Sequence, residues 1–251
     1  MTARSADSPA AVVTGRVGGA PYDRRTGNSA RGRAVQAFRA EHALRAASSF
    51  AAVALGYAAG AVPFSQVGAG RRGVDLRRIG TGTVSGTGLY RVAGPRALVG
   101  YGVLEVAKGA VGPGLALVAG HDRRSGTVAA AAGAAVVGHN WSPLLRGAGG
   151  RGVAPAMGAL GVAAPTGALV LIAGLAAGRA LGESAIGCAV ADLALLPVLR
   201  RTGGPPAVRA GAAVLAPIVV KRLVGNGPAA LASPGIYLTR LLVDRDTWAK
   251  P

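Results

Sequence analysis

A chain of 251 residues that is 51% hydrophobic and only 15% charged departs from a soluble domain, which carries about 25% charged residues. Aromatic residues at 4% would make a poor soluble core, whereas 41 glycines and abundant alanine let helix backbones approach closely in a bilayer. The formal net charge of +18 calls for anionic surroundings, but the arginines stand between long apolar runs, as at Arg71, Arg72, Arg77 and Arg78. That placement suits basic loops at a membrane face, so lipid headgroups or phosphorylated substrates are the expected partners and nucleic acid is not. The single cysteine, Cys188, excludes an intramolecular disulfide and a cysteine-based metal site.

Taken in order, residues 1–45 hold many arginines and few large apolar side chains, and read as a basic, mostly disordered tail with a short helix from Val35 to Arg45. No secretory signal is expected, because the first apolar run begins near Ala46. Residues 46–70 carry no charge and are long enough to cross a bilayer, with Pro63 marking a kink or an end. A basic Gly/Thr-rich loop follows at 71–91. The next apolar stretch, 97–120, is interrupted by Glu105 and Lys108. After a short charged connection, residues 125–145 are again apolar, with His139, Asn140 and Trp141 near their end. A Gly/Arg loop at 146–152 precedes an uncharged stretch at 153–178. Residues 184–199 are apolar except for Asp192, and 207–220 form the last apolar segment before Lys221 and Arg222. The fold class expected is an all-α integral membrane protein, a polytopic bundle of about five to seven transmembrane helices, with six candidate spans in residues 46–227. The tail at 228–251 is mixed and offers an interfacial helix near Ile236 to Val243. Arginines flank the first span on both sides, so the positive-inside count leaves orientation open.

Three constellations carry chemistry. In the loop 80–95, Gly80, Gly82, Thr81, Thr83, Ser85 and Thr87 combine free backbone N–H groups with hydroxyls, a composition that cradles anions, and Arg91 could add a forked phosphate contact. A flexible connection in a glycine-rich protein explains the same composition. In the segment 138–158, Gly149, Gly150 and Gly152 bracket Arg151 in a second anion cradle, which lacks the ending of a P-loop. His139, at a span end, is either a structural histidine or a functional one. Glu105 and Lys108 stand three residues apart on one helical face, so they can pair, either to join helices or to act in chemistry.

These segments together resemble the bacterial acyl-phosphate:glycerol-3-phosphate acyltransferases. The first-span signature of that family corresponds to Gly60-Ala61-Val62-Pro63-Phe64, and its first basic loop to Gly73 through Gly94 with Asp75, Arg77, Gly80, Gly82, Thr87 and Arg91 kept. Leu104-Glu105-Val106-Ala107-Lys108-Gly109 matches a family "LDxxKG". Gly138-His139-Asn140-Trp141 with Gly149-Gly150-Arg151-Gly152 matches its histidine and glycine-loop motifs. Lys221-Arg222-Leu223-Val224-Gly225 matches a "KRLxxG". The sequence departs from the pattern at Ala61, Thr81, Thr83, Gly88, Ala148, Pro155, Ala216 and Val219, where the family carries other side chains, most of them polar.

The resemblance implies transfer of a fatty acyl group from acyl phosphate to glycerol 3-phosphate, giving lysophosphatidic acid, in a multi-pass protein of the cell membrane. It implies no metal and no organic cofactor. Phosphate binding would fall to the two glycine loops with Arg91 and Arg151, and the catalytic group to His139, Lys108 and Glu105. Two other readings compete: a diverged member that binds lipid or phosphate without acyl transfer, and a small transporter. Oligomeric state is not encoded in these motifs.

Overall fold

The computed structural model describes residues 24–226 and 234–243. The chain divides into two compact units, residues 1–44 and 45–251. Of the first unit, the described part is the beginning of helix α1 (Arg24–Ala61), exposed over residues 32–44. The anticipated helix from Val35 to Arg45 lies inside α1, which starts earlier than the pattern suggested: no proline interrupts residues 24–61. Residues 1–23 of the expected tail lie outside the described residues.

Within the second unit α1 ends at Ala61 and is followed by α2 (Phe64–Gly70), α3 (Gly86–Val118), α4 (Gly126–Asn140), α5 (Val153–Ala163), α6 (Pro165–Ala180), α7 (Ser184–Val224) and α8 (Pro234–Val243). Local chemistry sets these limits. Ser85 and Ser125 cap α3 and α4, each hydroxyl accepting a backbone N–H in the first turn. Gly94 and Gly204 take left-handed φ values of 78° and 65° ahead of Pro95 and Pro205, so neither α3 nor α7 continues straight through. At Gly204 the chain folds back on itself. Asp192 and Arg222, on opposite halves of α7, meet at 3.1 Å in a buried ion pair.

The stretch 153–178, anticipated as one span, is two helices. Ala164 adopts φ −154°, ψ 79°, and Pro165 opens α6 where its missing N–H costs nothing. The turn is uncharged, so hydropathy alone passes over it. The later part of α1, then α3, α4, α5, α6 and the two halves of α7 run to and fro as seven passes among the described residues. Two stretches, Gly32–Gly70 and Gly86–Val118, are by themselves long and apolar enough to cross a membrane, and α5 and α6 are shorter apolar helices.

The passes pack on small side chains. Ala131, Ala132, Ala156 and Ala159 are buried with Val136, Leu160, Leu195, Val214 and Ile218. A Cβ on Gly109 would strike the carbonyl of Pro155, and one on Gly158 the carbonyl of Val106, so α3 and α5 meet backbone to backbone. The alternation creates two ends. One carries both glycine loops and the segment after α7. The other carries the α3–α4 connection, the α5–α6 turn and the elbow at Gly204. At this second end Ser48 Oγ lies 3.0 Å from His121 Nε2, and Ser49 Oγ lies 3.0 Å from Thr127 Oγ1.

The expected C-terminal helix near Ile236 to Val243 is α8, which packs on α7. Arg240 donates to the carbonyls of Leu223 and Val224, and Arg222 donates to that of Leu241.

Candidate active site

The helix break at Val62 and Pro63 leaves backbone polar groups without helical partners in an apolar interior, where each must be satisfied. Side chains from α3 and from the loop after α4 do this. Lys108 Nζ donates to Val62 O at 2.6 Å, the backbone N–H of Ser65 donates to Glu105 Oε1 at 2.8 Å, and Ser142 Oγ donates to Ala61 O at 2.6 Å. Lys108 and Glu105 pair at 2.7 Å, as their spacing suggested. His139 joins them, its Nδ1 3.0 Å from Lys108 Nζ and 3.3 Å from Glu105 Oε2. All three side chains are buried. Residues that stood apart in sequence thus form one polar cluster between α1, α3 and α4.

The two glycine loops meet directly above it. The N–H of Val84 donates to Gly149 O at 3.1 Å. Asn226 Nδ2 then donates to both Gly82 O and Gly149 O, each at 3.0 Å, stitching the loops together. Gly150 lies flat on the histidine: an added Cβ would collide with His139 Nε2 and crowd Val84 O. Gly152, with φ 81°, turns the chain into α5. Thr83 is buried and accepts a hydrogen bond from the Thr81 hydroxyl at 2.9 Å, while Ser85 spends its oxygen capping α3. Gly80, Thr81 and Thr87 are exposed.

The cations divide. Arg151 Nη1 donates to Lys221 O at 2.8 Å, and Lys221 is itself buried with its ammonium 5.2 Å from the centre of the Trp141 ring. Lys221 has no carboxylate partner among the described residues. Arg91 is exposed on the second turn of α3 and is not drawn into this group. Below the loop, Asp75 holds the Leu76–Arg78 turn, accepting from the backbone N–H of Arg77 at 3.0 Å and pairing with its guanidinium at 2.8 Å. The side-chain hydrogen bond from the Arg77 guanidinium, ahead of the backbone one, pulls the Asp75 carboxyl down to about 2.

The sequence reading did not single out Lys221, Asn226 or Ser142 as site residues. Lys221 could have been found, since only Lys108, Lys221 and Lys250 are lysines in a chain that otherwise uses arginine. Asn226 carries no such signal, because its role arises from where α7 ends. Among the described residues no group of three His, Cys, Asp or Glu side chains could hold a metal ion.

Residues 50–227 match the family described as Glycerol-3-phosphate acyltransferase. Individual relatives agree. A glycerol-3-phosphate acyltransferase of Anaeromyxobacter dehalogenans (strain 2CP-C) is 41% identical over 128 residues, 49% of this chain and 63% of that protein. One from Roseobacter denitrificans is 36% identical over 157 residues, 61% of this chain and 76% of that protein. Glycerol-3-phosphate acyltransferase 5 of Dehalococcoides mccartyi is 35% identical over 119 residues, 47% of this chain, and the match spans 50% of the relative's length. In three dimensions the chain is similar to the crystal structure of PlsY (YgiH), an integral membrane glycerol 3-phosphate acyltransferase, in its glycerol 3-phosphate form. The TM-score is 0.63 at 26% identity, covering 70% of this chain and 88% of that one. With the match running through the helix break, both glycine loops and the end of α7, the chain belongs to the glycerol-3-phosphate acyltransferase family.

Proposed function

We propose that this chain transfers a fatty acyl group from acyl phosphate to the 1-hydroxyl of glycerol 3-phosphate, as a multi-pass protein of the cell membrane. The hydroxyl oxygen attacks the acyl carbonyl, the carbonyl–phosphate bond breaks, and lysophosphatidic acid and phosphate leave, with the hydroxyl proton passing to the departing phosphate or a nearby base. Acyl phosphate is already a mixed anhydride, so no covalent enzyme intermediate is needed. The protein's task is alignment and charge stabilisation. The observation that carries this reading is the union of the two glycine loops, through Val84, Gly149 and Asn226, over the buried Glu105–Lys108–His139 cluster.

In this reading Gly80, Thr81, Gly82, Thr83, Ser85 and Thr87 form one wall of a phosphate cradle, and Gly149, Gly150, Arg151 and Gly152 the other. Lys221 supplies a buried positive charge that has no carboxylate partner among the described residues, and Arg91 meets phosphate at the exposed rim. His139 faces the loops and is the candidate base. Glu105 and Lys108 orient it and hold the helix break. The seven passes are its crossings, residues 1–45 a basic tail, and residues 228–251 a tail whose helix α8 lies at the membrane surface.

A second reading is favoured by one observation: Glu105 and Lys108 are both engaged by the helix break, at Ser65 N and Val62 O. On that reading the cluster is structural and the loops bind phosphate ligands without acyl transfer. The full-length chain, purified in detergent and supplied with palmitoyl phosphate and glycerol 3-phosphate, distinguishes them. Formation of lysophosphatidic acid supports transfer. Glycerol 3-phosphate binding with no product supports the second reading, and loss of both rejects the site.

A further inference from the structure

The end of the bundle away from the glycine loops has a cavity of about 160 Å³. That is well above the 10–15 Å³ needed to admit one water. Arg123 and Arg124 of the α3–α4 connection line it, together with Thr166 at the start of α6, Leu199 and Thr202 from the first half of α7, and Ala207 from the second. Its position is fixed. Arg209 Nη2 donates to Arg124 O at 2.8 Å, and the N–H of Arg124 donates to Asp122 Oδ1 at 2.6 Å, so the connection is held from both sides. The one acidic neighbour in the connection is therefore engaged by backbone. Neither Arg123 nor Arg124 has a carboxylate partner among the described residues.

Two arginines lining a partly apolar cavity between helix ends suit a phosphate, which guanidinium groups can grip in forked pairs. Thr166 adds a hydroxyl that can donate. Thr202 does not, since its proton goes to Val198 O at 3.0 Å. The apolar wall has a counterpart outside. Thr166, Leu169 and Ile172 follow one another at steps of three along one face of α6, and both Leu169 and Ile172 are exposed. A phosphate seated at the arginines could thus carry a glycerol backbone against Leu199 and Ala207 and an acyl chain down α6.

We propose that this cavity is a second phosphate-binding site, distinct from the glycine loops, which takes the phosphate of a membrane lipid headgroup or free inorganic phosphate. It does not depend on acyl transfer and would stand if the chain proved to lack that activity.

The test measures binding to the full-length chain in neutral detergent with three probes: dihexanoyl phosphatidylglycerol, dihexanoyl phosphatidylcholine and inorganic phosphate. Each is titrated against wild type, Arg123→Ala/Arg124→Ala, and two controls. One control is Arg200→Ala/Arg201→Ala, exposed at the same end but outside the cavity. The other is Arg72→Ala, exposed at the opposite end and outside the glycine-loop cradle. The Arg123/Arg124 pair is expected to weaken phosphatidylglycerol binding by about tenfold to a hundredfold, with both controls within about twofold of wild type. The same loss for inorganic phosphate identifies the bare anion as the ligand, whereas a loss confined to phosphatidylglycerol identifies the lipid headgroup. Arg123→Lys/Arg124→Lys, which keeps the charge, is expected to weaken binding less, and it decides the matter if the alanine pair does not fold. Unchanged binding in the cavity variants, or an equal loss in Arg200→Ala/Arg201→Ala, overturns the proposal, because the arginines would then act only as general surface charge.

Discussion

At Gly150 the backbone lies so close to His139 that a single methyl group has nowhere to go. Gly150→Ala must push the ring or the loop by a fraction of an ångström to an ångström, a displacement that can cost roughly a hundredfold in rate where alignment is the mechanism. Steady-state acyl transfer by that variant should fall by about this factor while the protein stays folded in detergent. Wild-type turnover would remove His139 and Gly150 from the reaction. Asn226 acts differently, since its side-chain amide donates to the loop carbonyls at Gly82 and Gly149. Asn226→Ala should raise the KM for glycerol 3-phosphate by about tenfold with a smaller change in kcat, the signature of a loosened cradle. An unchanged KM would show that Val84 and Gly149 hold the loops without help. Asp75 gives a pH signature outside the bundle. Its carboxyl sits at about 2 in the folded chain, held there first by the hydrogen bond from Arg77, against about 3.9 when unfolded. A lowered carboxylate contributes fully above its unfolded value and loses that contribution as pH falls through the folded one. Hydrogen exchange at the Arg77 and Arg78 amides, corrected for intrinsic rate, should be slow down to about pH 4 and accelerate between there and about pH 2. Asp75→Asn should abolish that step.

Among the elements, the break between α1 and α2 explains why charges are present in an apolar interior. Val62 O and Ser65 N are backbone groups that a continuous helix would have satisfied internally, and Lys108 and Glu105 replace those partners. Removing Lys108 leaves the buried Glu105 carboxylate without its cation, while Val62 O keeps only the N–H of Phe64, and removing Glu105 leaves Ser65 N without its acceptor. Lys108→Met should therefore cost about 3–5 kcal/mol, and Glu105→Gln/Lys108→Met together less than the sum of the single changes. Thermal unfolding in detergent measures both, and additive losses would mean that the pair is not coupled. The helix break was legible in advance at Pro63, and the pair at Glu105 and Lys108, because proline and an intramembrane charge are strong local signals. That the two signals belong together was not legible: the contact joins residues some forty positions apart, and nothing local encodes it. The α5–α6 turn was missed for the opposite reason. A span pattern is built from charge and hydropathy, and Ala163, Ala164 and Pro165 interrupt neither, although Pro165 at the first position of a helix is a start signal in its own right. Arg91 and Arg151 read alike in sequence, yet Arg151 bonds to Lys221 O while Arg91 stays at the surface, since the outcome depends on which way α3 turns at its capped start.

For the whole molecule, the decisive property is the parity of its passes. The first glycine loop precedes α3 and the second follows α4, so two passes separate them and return the chain to the same end. The hydrogen bond from Val84 N to Gly149 O requires that outcome, and the Asp122–Arg124 connection between the two helices must then lie at the other end. If the passes are membrane crossings, sidedness follows without reference to charge, which matters because arginines stand at both ends and the positive-inside count is silent. Cys188 is buried and is the only cysteine, so Cys188→Ala supplies a clean background. In that background Thr81→Cys, Leu144→Cys and Asp122→Cys each place one thiol at an exposed position. Sealed vesicles treated with a membrane-impermeant maleimide should label Thr81→Cys and Leu144→Cys from the same side and Asp122→Cys from the opposite side. Labelling of Thr81→Cys and Leu144→Cys from opposite sides would break the shared cradle and with it the proposed site. Labelling of all three from one side, with the chain removed from vesicles by alkali, would instead mean that the helices pack as they do without spanning the bilayer.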